Sequence, residues 1–77
     1  MALVRNIKPK IETNRQHRVH REIKCQSLTF KDDADNSYIQ LDTFSSSSSG
    51  RNVVQIMQFD KQAACQLKAL IEKAFDL

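Results

Sequence analysis

The chain has one glycine, one proline, two cysteines and no tryptophan in 77 residues. A single glycine leaves no Gly-rich phosphate loop and no Gly-x-Ser-x-Gly elbow. Cys25, Cys65 and the serines of residues 45–49 are the remaining nucleophile candidates. So small a chain offers little enclosed pocket for chemistry, so no catalytic residue is expected. The two cysteines are too few and too far apart for the disulfide framework of a secreted mini-protein. They read as free thiols, or one buried thiol per element, in a reducing compartment, which points to the cytoplasm. His17 and His20 lie near Cys25, but residues three apart face opposite sides of a strand and no Cys-x-x-Cys pair is present. "DDADNS" lacks the closing Glu and Gly of a calcium loop. No metal and no cofactor are expected. No apolar run approaches the roughly 20 residues that span a bilayer, and "MALVRNIKPK" has no signal-peptide core, so no membrane partner is expected.

What the chain does have is an uneven charge. Residues 1–31 carry eight Lys/Arg against Glu12 and Glu22, a net of +6. Residues 32–77 carry Arg51, Lys61, Lys68 and Lys73 against seven carboxylates, a net of −3. Such polarity draws a polyanion to one side of a small domain.

The length allows one domain, residues 1–77, that buries only about 60% of its unfolded surface. Asp60 stands before "KQAACQLKALIEKAF", where its carboxylate can cap a first helical turn. Ala63, Ala64, Leu67, Leu70, Ile71, Ala74 and Phe75 then recur at helical spacing, predicting a helix over 61–76. "YIQLDTF" and "VVQIMQF" alternate as strands. "RVHREIKCQSLTFK" alternates too, with a parity switch near Gln26–Ser27 that predicts a β-bulge or a sharp bend. Residues 17–59 are thus expected to form the sheet. Residues 1–16 are expected as a basic arm or, given Pro9, an edge strand. The serines cannot be an interdomain linker, because neither side has a sufficient core alone. They read as a hairpin loop over 45–52, with Gly50 free to take positive φ. The expected fold is α+β: a four-stranded antiparallel sheet followed by one helix, in the order β-β-β-β-α.

The basic constellation carries the functional expectation. Arg15, Arg18, Arg21 and Lys24 fall within ten residues, interleaved with His17 and His20. On a strand Arg18, His20 and Lys24 share one face, and Arg21 lies on the other. Tyr38 and Phe44 share the sheet face opposite Ile39 and Leu41. Cations beside exposed rings suit a single-stranded nucleic acid, whose phosphates follow the cations and whose bases stack on the rings. The same rings also suit a dimer interface. Candidate contacts are Arg15, Arg18, His20, Arg21, Lys24, Tyr38, Phe44 and Arg51. Alternatives are a small protein-interaction module of phage or mobile-element origin, and duplex binding through the basic N-terminal arm.

The string "YIQLDTF", a loop, then "GRNVVQIMQFDKQAACQLKALI" resembles the C-terminal domain of the positive cofactor four family of transcriptional coactivators. Phe44 falls at that family's strand-ending aromatic, Gly50 and Arg51 at its loop, Asp60 at its helix cap, and Leu67 and Leu70 at its helix core. No Pro precedes Gly50, Ala64 stands where the family has Trp, and Asp42 stands where it commonly has Arg. The resemblance implies four antiparallel strands and a helix, a homodimer, and single-stranded DNA bound on the sheet in an accessory or transcription-regulatory role. The same string is similar to short bacterial and phage proteins with a "YLQIDTYGS…PGKVSQSIQFD" pattern, which implies no activity.

Overall fold

A computed structural model describes residues 1–11, 16–45 and 52–77. Its elements are β1 (Ala2–Val4), β2 (Lys24–Lys31), β3 (Ser37–Ser45), β4 (Asn52–Phe59) and α1 (Lys61–Phe75). The fold is α+β, with one sheet of order β1-β4-β3-β2. β2 and β3 pair antiparallel, as do β3 and β4, whose last pair is Ser45 with Asn52. β3 and β4 thus form an antiparallel pair; residues 46–51 of the expected serine loop, Gly50 among them, lie outside the described residues.

The sheet is mixed rather than fully antiparallel, because β1 runs parallel to β4. Bonds beyond its end set this direction. The Asp60 N–H donates to the Val4 carbonyl at 3.4 Å. The Ile7 N–H donates to Gln66 Oε1 at 2.7 Å, and Gln66 Nε2 donates to Asn6 Oδ1 at 2.8 Å. Running with β4 delivers residues 5–7 to the helix, whereas an antiparallel β1 would carry them away from it. β1 sits on one edge of the sheet and β2 on the other.

Two further expectations are corrected. Residues 17–23 lie in no strand; β2 begins at Lys24. Val19 is fully exposed and Ile23 about half exposed, so neither anchors a sheet face. β2 pairs with β3 without a break from Lys24↔Phe44 to Lys31↔Ser37, so there is no bulge at Gln26–Ser27. The parity switch reflects apolar residues on both faces. The register shift falls instead at Thr43/Phe44 against β4, where Thr43 pairs with Gln55 and Phe44 with Val53.

The pairing defines two faces. One carries the lateral row Val4, Phe59, Ile39 and Thr29, then Ala2, Met57, Leu41 and Ser27. The other carries Phe30 with Tyr38, then Leu3, Gln58, Gln40 and Leu28, then Ile56, Asp42 and Gln26, and last Phe44 with Lys24. Among the described residues only Phe59 (6% exposed) and Ala63 (0%) are buried. Phe59 belongs to the first face, so the helix docks there, by its first turns. Asp60 caps it as the sequence predicts, Oδ1 accepting the Ala63 N–H at 2.9 Å. Asp76 closes it in a left-handed conformation, and the Leu77 N–H returns to the Glu72 carbonyl at 3.0 Å. Beyond Leu67 the apolar stripe is left open: Leu70, Ile71 and Phe75 are exposed.

Candidate functional site

The strands give the sheet two unlike ends. At the turn end β2 passes into β3 through residues 32–36. Asp32 organises this turn: Oδ1 accepts the N–H groups of Ala34 and Asn36, each at 2.9 Å. Its Oδ2 accepts from Asn36 Nδ2 at 3.3 Å and from the Tyr38 hydroxyl at 2.9 Å. Asp35 takes positive φ (65°), a conformation Asp tolerates better than most residues. These donors, led by the Asn36 N–H, hold the Asp32 carboxyl below its ordinary value, while the bond to Asp32 holds the Tyr38 phenol above its own. The Tyr38 ring also stacks on Phe30, centroids 5.3 Å apart. Lys31 pairs with Asp35 at 3.3 Å, and Arg5 with the capping Asp60 at 3.5 Å. A cleft of 810 Å³ opens here, bordered by Thr29, Ile39 and Phe59 of the sheet and Lys61, Gln62 and Ala64 of the helix, with Arg5 and Asp60 at its rim.

At the loop end lie Lys24 and Phe44, opposite each other across β2 and β3. Lys24 is exposed and Phe44 half-buried. Residues 16–23 lead into β2 here, so Arg18, His20 and Arg21 precede Lys24 in sequence, outside any strand. Arg18, His20 and Lys24 make no ion pair with another described residue. Arg15 and Arg51 lie outside the described residues. The structure thus brings Lys24 and Phe44 together; Arg18, His20 and Arg21 precede them in sequence only. Tyr38 stands apart, six residues and about 20 Å along the strand, with its hydroxyl committed to Asp32.

Between the two ends runs a polar ladder that sequence reading missed. Gln58 Nε2 donates to Gln40 Oε1 at 2.9 Å, and Gln40 Nε2 donates to Asp42 Oδ1 at 2.8 Å. All three are half-buried and lie on the face opposite Phe59. Strand alternation places Gln40 and Asp42 together, but adding Gln58 requires the β3–β4 register.

Cys25 and Cys65 are both free and exposed, where the sequence reading had one buried thiol in each element. No group of three or more His, Cys, Asp or Glu among the described residues is arranged to hold a metal ion. No helix among them is long and apolar enough to cross a membrane. Comparison with protein-family models, curated proteins and solved structures returns no match for this chain.

Proposed function

We propose that the chain binds single-stranded nucleic acid on the face carrying Phe44 and Lys24, in an accessory or regulatory role. The observation that carries this reading is the Lys24–Phe44 cross-strand pair, continuous in sequence with Arg18, His20 and Arg21 and far from the acidic turn. A ring beside a cation offers stacking for a base and a counter-charge for its phosphate. The test is fluorescence polarisation with single-stranded DNA, duplex DNA and RNA oligonucleotides at two salt concentrations. Single strands should bind best, with a steep loss of affinity as salt rises. Binding that is absent, or indifferent to salt, rejects the reading.

The binding unit is a homodimer in this proposal. Its support is apolar surface that no described element covers, the interface that a second copy would fill. The open stripe of Leu70, Ile71 and Phe75 is its apolar centre. Sedimentation equilibrium should give twice the chain mass, and Leu70→Ser should lower it to 8.9 kDa. Two free thiols suit a reducing compartment, and the proposal takes the protein to be cytoplasmic. The same stripe favours a second reading, a protein-interaction module. A wild type that is monomeric and binds no oligonucleotide would leave that reading in place.

A further inference from the structure

We propose that Asp42 selects the base held at the middle of this face, favouring guanine over thymine; this rests on the single-strand reading above. The Gln58–Gln40–Asp42 ladder sets a direction. Each glutamine nitrogen donates to the next oxygen, so Gln40 uses both ends of its amide and the chain of donors terminates on Asp42 Oδ1. The carboxylate is acceptor-only and keeps further lone pairs, on Oδ2 above all. It pairs with no described cation. Its lateral neighbours are Gln26 on β2 and Ile56 on β4, neither of them charged.

A negative charge at the centre of the face repels phosphate. A strand crossing it is steered to keep its backbone toward the cations at the loop end and to turn base edges toward the ladder. Unstacked single strands offer those edges freely. Guanine presents two adjacent donors there, N1–H and the N2 amino group, which together match a carboxylate. Cytosine and adenine present one amino donor beside a ring acceptor. Thymine presents one N3–H between two carbonyl oxygens that repel the carboxylate. The expected order is guanine first, cytosine and adenine next, thymine last.

The test compares three oligonucleotides of equal length by fluorescence polarisation: all thymine, thymine with a central guanine, and thymine with a central hypoxanthine, which lacks the N2 amino group. The wild type should bind the guanine strand roughly tenfold tighter than the all-thymine strand, the scale of one good bidentate contact. Hypoxanthine should lose most of that gain. In Asp42→Asn, which replaces one acceptor oxygen by a donor, the guanine-to-thymine ratio should fall to about one. Equal binding of all three strands by the wild type overturns the selection and leaves single-strand binding standing. A ratio unchanged in Asp42→Asn overturns the assignment to Asp42. No binding to any strand removes the underlying reading, and this inference with it. The hypoxanthine comparison uses wild-type protein, so it decides even if the variant folds poorly.

Discussion

At the turn end of the sheet Asp32, Asp35 and Asp60 are all engaged within the chain; at the loop end Lys24, and before it in sequence Arg18 and His20, make no ion pair with a described residue. Both ends are charged, so charge alone does not separate them. What separates them is whether local partners already use it. Asp32 satisfies the donors of a tight turn, and Asp60 those of a helix start. Removing such groups changes the shape of the protein. Arg18, His20 and Lys24 carry no such bond to a described residue, so removing them should change only what the surface attracts.

The largest expected effect tests the structural end. Phe59→Ala empties a buried strand position and should cost about 3–5 kcal/mol in urea unfolding. In a domain this small that approaches the whole stability. Lys24→Ala, at the other end, should stay within about 0.5 kcal/mol of wild type. Similar shifts in the two variants would break the division between the ends.

Binding supplies the next comparison, between two rings on one face. Phe44→Ala should cost about 1–3 kcal/mol of single-strand affinity, the usual worth of a stacked base. Tyr38→Ala should cost less, because Phe30 and Asp32 already hold that ring. Equal losses would extend the nucleic-acid surface over the full length of the sheet.

Smaller effects sharpen the contrast. Asp60→Ala removes the cap at the Ala63 N–H and should lower stability by about 0.5–2 kcal/mol without touching affinity. Arg18→Ala and Lys24→Ala should do the reverse, each lowering the salt slope of single-strand binding by about 0.7 for every phosphate left unneutralised. A cap variant that binds weakly while folded would show that the helix start takes part in recognition.

The elements written in short-range chemistry were legible in the sequence. Asp60 before an apolar stripe announces a capped helix, and alternation in "YIQLDTF" and "VVQIMQF" announces two strands. The antiparallel pairing of β3 with β4 agrees with the hairpin reading, whose serine loop lies outside the described residues. What stayed hidden depends on partners distant in sequence. The direction of β1 is set by Asp60 and Gln66, more than fifty positions away. The β2 boundary misled for a related reason: "RVHREI" alternates like a strand, but residues 16–23 pair with no neighbouring strand. Alternation is necessary for a half-buried strand and does not by itself supply a neighbour. The stripe beyond Leu67 shows the same limit, since periodicity reveals an apolar face but not what covers it.

The smallest expected effect is a pH dependence confined to the turn end. Asp32 is held below 3.8 chiefly by the Asn36 N–H, with Tyr38, the Asn36 amide and Ala34 adding to it and desolvation opposing. A carboxyl depressed in the folded state contributes stability that is present above its unfolded value and lost as pH falls through its folded value. The melting temperature should therefore begin to drop below about pH 4. The Tyr38 phenol is raised above 10.0, first by its bond to Asp32. Its contribution is present below the unfolded value and lost as pH rises through the folded one, giving a second decline in strong alkali. Tyr38→Phe deletes the alkaline decline outright. It also weakens the acid one, because Asp32 then keeps the Asn36 and Ala34 donors but loses the phenol. A carbon NMR titration of the Asp32 carboxyl in both proteins reads this directly. In Tyr38→Phe the midpoint should rise toward the ordinary carboxyl value without reaching it. An unmoved midpoint would mean that the phenol does not hold Asp32 in solution, leaving Tyr38 as free as Phe44 to meet a ligand.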